Sequence, residues 1–144
     1  MPQVEFHSGV AQPLNFACRL LRKACRQRVP VLVSAPAPTL DALDRELWTF
    51  EALEFLPHRR WRDGQVADAA LRRTPIWLCE RVPPELSCPV LLNIDGAAAP
   101  SGGAFERIIE IVATSADERQ RGRLRWREYE ARGWPIKHHA GSAG

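Results

Sequence analysis

A run of arginines near the C-terminal end carries the clearest binding chemistry in this sequence. Residues 115–134, SADERQRGRLRWREYEARGW, are predicted to form one helix. At about 100° per residue, Arg119, Arg123, Trp126 and Arg127 share one side of it, because side chains three and four positions apart are neighbours. A guanidinium group forms bidentate hydrogen bonds with a carboxylate or phosphate, and an indole supplies a flat apolar wall. These four residues, called here the arginine face, predict a site for an anionic group beside an apolar ring.

The same pattern has a second interpretation, a solvated basic helix side that binds nothing. Glu128 and Glu130 lie among the cations and partly neutralise them, as is common on exposed helices. On the pattern alone both interpretations stay open. The arginines on the other sides of this helix, Arg121 and Arg125, are assigned to solvent and to the general positive field.

The arginine helix has start and stop signals. Ser115 and Glu118 match the S-x-x-E capping box, in which the serine hydroxyl accepts from the backbone N–H three residues on. Asp117 near the start and Arg132 near the end suit the direction of the helix dipole. Gly133 is expected to end the helix. The arginine face is therefore expected to lie on a helix of defined length.

No other group of side chains in the sequence adds up to a catalytic, metal or phosphate site. His138 and His139 are adjacent in a polar segment without further ligands nearby, and His58 has no evident acid–base partner. Neither G-x-x-x-x-G-K-[ST] nor G-x-G-x-x-G is present. We expect no catalytic residue, no metal and no cofactor, so a nucleotide-dependent enzyme is the least favoured function.

Helical and strand-like segments alternate along the chain, which predicts an α/β fold with a mainly parallel central sheet flanked by helices. One domain should span residues 1–136, followed by a flexible tail over residues 137–144. His58–Gly64 is expected to be a polar loop, and Phe105–Val112 a turn of helix leading into a strand. The other predicted helices are Leu14–Arg28 and a segment capped by Thr39 with Leu40, Leu43 and Leu47 as its apolar stripe; the other strands are Val4–His7, Val29–Ala35, Pro75–Cys79 and Pro89–Ile94.

The composition is that of an ordinary globular protein. The chain has 144 residues, 26% of them charged and 45% apolar, with a net charge of +3. It has no apolar run of the roughly 18 residues that a membrane span needs, and no export signal at its start, so a cytoplasmic location is the default expectation. The four cysteines form no C-x-x-C pair and are interpreted as buried thiols.

The order of several motifs resembles the chi subunit family of bacterial DNA polymerase III, accessory proteins of the clamp-loader complex. The motifs are LDRELWTFEALEFLPH, PIWL, VLLNI, FERIIEIV and RGRLRWREYEARGW, and they cover nearly the whole chain. The resemblance implies an α/β domain with a nucleotide-binding-like topology but no phosphate-binding loop. It also implies a non-catalytic adaptor in the replisome, which contacts DNA only indirectly and no membrane.

The resemblance further implies two binding surfaces. Arg119, Arg123, Trp126 and Arg127, with Val112 as an apolar wall, would bind the acidic, phenylalanine-ended C-terminal tail of single-stranded DNA-binding protein. The family often has tyrosine and lysine where this chain has Trp126 and Arg127, and both changes keep the chemistry.

The second surface would bind the psi subunit, which joins chi to the clamp loader. It would fall on Trp48 and Phe55, although both residue types are also common in cores. An iron–sulfur helicase is an alternative partner there. Direct binding of single-stranded nucleic acid through arginines and exposed tryptophans remains the alternative function of the whole chain.

Overall fold

Seven parallel strands form the central layer of the protein. The computed structural model describes residues 2–50, 56–61, 74–83, 88–100 and 105–140. The strand order across the sheet is β3-β4-β2-β5-β6-β1-β7, and every neighbouring pair runs parallel. This confirms the predicted parallel sheet. The strands are β1 (Gln3–Val10), β2 (Val31–Ser34), β3 (His58–Arg60), β4 (Ile76–Cys79), β5 (Val90–Ile94), β6 (Arg107–Ala113) and β7 (Ile136–Ala140).

Helices cover both faces of the sheet. In the described ranges these are α1 (Pro13–Arg26), α2 (Ala37–Thr49) and α3 (Ala116–Ala131). On one face α1 and α2 bury their apolar stripes, Leu21 of α1 and Leu43 of α2 among them, against the strands. On the other face α3 packs through Tyr129 against a cluster that includes Phe6 and Val112. Because both faces are covered, the central strands are apolar on both sides, as their continuous apolar runs predicted.

Both edges of the sheet differ from the sequence-based prediction. His58–Arg60 forms the edge strand β3, not a loop, and pairs with β4. Residues 137–140 belong to the edge strand β7, which pairs with β1 over five residues, so the predicted flexible tail is wrong for these four positions. Residues 141–144 lie outside the described part. Edge strands are often short and polar, so their own composition resembles that of loops.

Two smaller predictions also need correction. The second helix begins at Ala37, directly after Pro36, so Thr39 lies inside the first turn and does not cap it. Residues 107–113 are extended throughout, without a preceding turn of helix, because β6 pairs with β5 and β1 along its length. In the described ranges no helix is both long and apolar enough to cross a membrane.

Candidate functional site: a pocket between α3 and the sheet edge

The start and end of α3 match the predicted capping. The Ser115 hydroxyl accepts a hydrogen bond from the Glu118 backbone N–H at 3.2 Å. Asp117 and Glu118 lie in the first turn, where acidic side chains favour the positive end of the helix dipole. Gly133 has a φ of 74°, a left-handed conformation that glycine adopts without strain, and the helix ends just before it. The helix that carries the arginine face is therefore confirmed.

A glycine in the middle of α3 allows the helix to approach the sheet closely. A Cβ atom on Gly122 would lie 2.9 Å and 3.1 Å from the two γ-carbons of Val112 on β6. Glycine inside a helix costs roughly 1 kcal/mol relative to alanine, so its presence here has a packing reason. The contact sets the depth at which the neighbouring side chains of α3 lie over the sheet.

A pocket of about 470 Å³ lies between α3 and the β1–β7 edge of the sheet. It contains all five residues that the sequence analysis assigned to a carboxylate site: Val112, Arg119, Arg123, Trp126 and Arg127. The other lining residues are Phe6, Ser8, Gly122, Glu130 and His138. We call this cavity the α3 pocket.

The α3 pocket has an apolar wall of aromatic rings. The rings of Phe6 and Trp126 lie 4.9 Å apart, centroid to centroid, at an interplanar angle of 48°. Val112 completes the wall and is only 5% exposed. The Trp126 indole N–H donates to a Glu130 carboxylate oxygen at 3.3 Å, which fixes the orientation of the ring. An incoming apolar ring would meet a surface that is already assembled.

Among the described residues, the three arginines of the pocket have no carboxylate partner. In the described part of the chain, neither Arg119 nor Arg127 forms an ion pair, and Arg123 donates to the neutral Gln120 side-chain oxygen at 2.8 Å. Within the described ranges, no carboxylate therefore neutralises their positive charges directly. Since guanidinium groups bind carboxylates bidentately, the pocket has the chemistry to hold an anionic group beside an apolar ring.

The assignment to solvent is wrong for Arg125, whereas Arg121 is exposed as predicted and pairs with Asp95. Arg121 donates two hydrogen bonds to Asp95, at 2.8 Å and 2.7 Å. Arg125 is only 5% exposed, and its Nε donates to Glu110 on β6 at 2.7 Å. Arg125 faces inward because it lies on the side of α3 that packs against the sheet, as Tyr129 does. The arginines on this helix therefore form two groups. Arg121 and Arg125 pair with Asp95 and Glu110, whereas the arginines of the α3 pocket have no carboxylate partner among the described residues.

Glu110 is the centre of a buried polar network that holds α3 on the sheet. Its carboxylate accepts from Arg125, from the Tyr129 hydroxyl at 2.6 Å and from the Asn93 amide at 2.9 Å. Burial raises the pKa of Glu110, while the neighbouring Arg125 charge and these donors act in the opposite direction. Burial and the nearby Glu110 also raise the pKa of Tyr129. The network was missed from the sequence, although a glutamate inside an apolar strand was an available signal, since buried charges need partners.

The carboxyl end of β5 is occupied by the chain itself. In open parallel sheets nucleotides bind beyond the carboxyl ends of the strands. Here Asn93 donates to the Ala97 carbonyl at 2.8 Å and accepts from the Gly96 N–H at 3.0 Å, which folds the following loop onto this position. A Cβ atom on Gly96 would lie 2.5 Å from the Asn93 side-chain oxygen. The tight loop agrees with the missing phosphate-binding motif.

Five lining residues of the α3 pocket were not assigned to it from the sequence: Phe6, Ser8, Gly122, Glu130 and His138. The His138 Nε2 lies 2.7 Å from the Ser8 hydroxyl, and the His138 ring packs edge-on against Trp126 at 5.6 Å. These residues come from β1, β7 and α3, which meet only in the folded chain. Strand alternation in β7 distinguishes His138 from His139, but no sequence signal paired His138 with Ser8.

The two residues of the second predicted surface have different outcomes. Trp48 is 60% exposed on α2, on the opposite face of the sheet from the α3 pocket. Its ring packs edge-on against His58 at 5.4 Å, and His58 is 2.6 Å from an Asp44 carboxylate oxygen. Phe55 lies outside the described residues. Trp48 is therefore a surface residue, and His58 has a structural partner.

Comparison with known proteins supports the family resemblance that the sequence motifs carry. The chain is 32% identical to the DNA polymerase III subunit chi of Pseudomonas aeruginosa over an alignment that covers 96% of each protein. The family model described as "DNA polymerase III chi subunit, HolC" matches residues 1–137. With the family model covering nearly the whole chain, this protein belongs to the DNA polymerase III chi subunit family.

Proposed function

We propose that the chain is a non-catalytic replisome adaptor whose α3 pocket binds the acidic C-terminal tail of single-stranded DNA-binding protein. The observation that carries this proposal is the combination of an apolar wall formed by Phe6 and Trp126 with three arginines that have no carboxylate partner in the part of the chain that the structure describes. A peptide that ends in a phenylalanine with a free carboxylate presents the matching pair of groups. The family membership supports a role in replication.

The pocket would bind the two parts of such a tail by different interactions. The terminal carboxylate would accept hydrogen bonds from the guanidinium groups, and the phenyl ring would pack on Trp126. Acidic residues upstream of the end would lie in the positive field of the remaining arginines. A contact this small should be weak and salt-sensitive, and several tails on one oligomeric DNA-coating protein would raise the effective affinity.

The second surface would connect the chain to the clamp loader. An exposed Trp48 on the opposite face of the sheet leaves room for both partners to bind at once. We assign this surface to psi, with an iron–sulfur helicase as the alternative occupant, and place the protein in the cytoplasm at replication forks. A pull-down of psi with wild type and Trp48→Ala tests the assignment. Equal recovery of psi with both chains would contradict it.

The tail assignment is tested by titrating a synthetic acidic peptide ending in Asp-Phe against single-arginine variants. Arg123→Ala should weaken binding by about tenfold or more, because a hydrogen bond to a charged group contributes about 1.5–3 kcal/mol. Arg121→Ala is the matched control, since it removes the same charge from the same helix but lies against Asp95. Equal losses in both variants would mean a diffuse electrostatic attraction and would refute the site.

Two further ligands separate this function from the alternatives. A peptide with an amidated C-terminus should bind much more weakly than the free acid, because the amide cannot accept a bidentate guanidinium pair. A bare single-stranded oligonucleotide should not bind at physiological salt. Binding of the oligonucleotide with similar losses in Arg123→Ala would favour direct nucleic-acid binding instead.

A further inference from the structure

His138 occupies a position in the α3 pocket that its sequence context does not reveal. It lies on β7, pairs in register with Phe6 of β1, and points to the same face of the sheet as α3. Its ring is fixed from two sides, by Trp126 at 5.6 Å and by the Ser8 hydroxyl at 2.7 Å from Nε2. Its neighbour His139 lies on the other face, stacked on His7 at 4.6 Å.

The charged groups that face His138 across the α3 pocket come from one element, and His7 of β1 is a further titratable group within electrostatic range of it. Across the pocket α3 contributes Arg119, Arg123 and Arg127 as cations and Glu130 as the only acid among the described lining residues. From β1, the lining residues Phe6 and Ser8 carry no charge. A positive charge on His138 would therefore extend the cationic part of the pocket from α3 to the opposite wall.

We propose that His138 and Ser8 form a proton-dependent second carboxylate-binding point of the α3 pocket. The proposal rests on the proposed function, in which an acidic peptide is the ligand. It adds His138 and Ser8 to the residues that would bind this peptide. A peptide with an acidic residue next to its terminal carboxylate presents two anionic groups. The arginines of α3 would hold one group, and the wall formed by β1 and β7 would hold the other.

Protonation adds a charge to this wall, and it also changes the wall's hydrogen bonding where the neutral ring carries its proton on Nδ1. When Nε2 of His138 carries no proton, it accepts the hydrogen of the Ser8 hydroxyl, so that hydrogen is not available to a ligand. When Nε2 is protonated it donates to the Ser8 oxygen, and the hydroxyl hydrogen is released to donate to a carboxylate in the pocket. Histidine is the side chain that ordinarily changes charge between about pH 5 and 8, so the test is made across that range.

The test is a titration of the acidic peptide at about pH 6 and about pH 8 at constant ionic strength. Wild type should bind about threefold to fivefold more tightly at the lower pH, the range expected for one added charge pair in a solvent-accessible site. His138→Gln should bind equally at both pH values. His139→Gln is the matched control and should keep the full pH dependence, because it faces away from the pocket.

A second readout separates binding from a merely structural role. Calorimetry in two buffers of different ionisation enthalpy should show proton uptake on peptide binding by wild type and none by His138→Gln. Wild-type affinity that does not change with pH, or a pH dependence that survives in His138→Gln, would overturn the inference and leave the proposed function intact. Absence of peptide binding at both pH values would instead refute the proposed function, and with it this inference.

Discussion

Replacement of Gly122 by alanine tests the close approach of α3 to the sheet. In the interior of an ordinary helix this change stabilises the fold by about 1 kcal/mol, because alanine is the better helix former. Here the new Cβ would lie 2.9 Å and 3.1 Å from the γ-carbons of Val112. Such distances are well below normal van der Waals contact, so either α3 or Val112 has to move.

Val112 has little freedom to withdraw. It is 5% exposed, its branched side chain is stiff at χ1, and its strand β6 is held between β5 and β1. Overpacking a core position costs typically about 1–3 kcal/mol. Set against the gain of about 1 kcal/mol in helix propensity, Gly122→Ala should lower the free energy of unfolding by about 0–2 kcal/mol.

Urea denaturation of four proteins measures this effect: wild type, Gly122→Ala, Val112→Ala and the double variant. The alanine at 122 should be tolerated better when residue 112 is also alanine, so the two changes should show a coupling energy of about 1 kcal/mol or more. Because α3 also carries the arginine face, Gly122→Ala should weaken peptide binding even where the chain stays folded. Stabilisation by about 1 kcal/mol with additive effects would refute the packing explanation.

Three further outcomes follow from buried and pocket-lining groups. Glu110→Gln should lower the free energy of unfolding by about 3 kcal/mol in denaturant titrations, because it removes the closer carboxylate partner of the buried Arg125 and leaves only Asp95, at 3.7 Å. A loss below about 1 kcal/mol would contradict the network's anchoring role. Glu130→Gln should tighten binding of an acidic peptide, whereas Glu128→Gln, outside the pocket, should not; equal effects would mean that only net charge matters. Burial lowers the pKa of His7, so the folded state resists protonation of this residue, and the stability of the fold should decrease as the pH drops below the ordinary histidine range. His7→Gln should flatten this pH dependence in thermal unfolding. An unchanged profile would mean that another group causes the pH dependence.

Local periodicity accounts for the parts of the fold that were predicted correctly. Apolar stripes on α1 and α2 predicted which face of each helix is buried, and continuous apolar runs predicted that β2, β4 and β5 are buried on both faces. The structure has these faces in the core. The polar edge strands β3 and β7 were missed because pairing with a neighbour, not their own composition, makes them strands. Only the folded sheet supplies that neighbour.

In the candidate site, too, local spacing predicted some features and only the packing of the folded chain decided others. The spacing of Arg119, Arg123, Trp126 and Arg127 fixes their common side of α3, since a helix places residues three and four apart next to one another. The same spacing does not indicate which side of α3 packs against the sheet, so the burial of Arg125 against Glu110 was missed. That pairing depends on how α3 is placed over β6.

By itself the sequence determined the family, the element types along most of the chain, the capped helix and the order of side chains around it. Only the tertiary structure decided which arginines are neutralised by Asp95 and Glu110 and which remain available for a ligand. It also decided that Ser8 and His138, 130 positions apart, share a wall of the α3 pocket. The physical reason is that helix faces are set by neighbours along the chain, whereas the contacts of strands β6, β1 and β7 join segments that are distant in sequence.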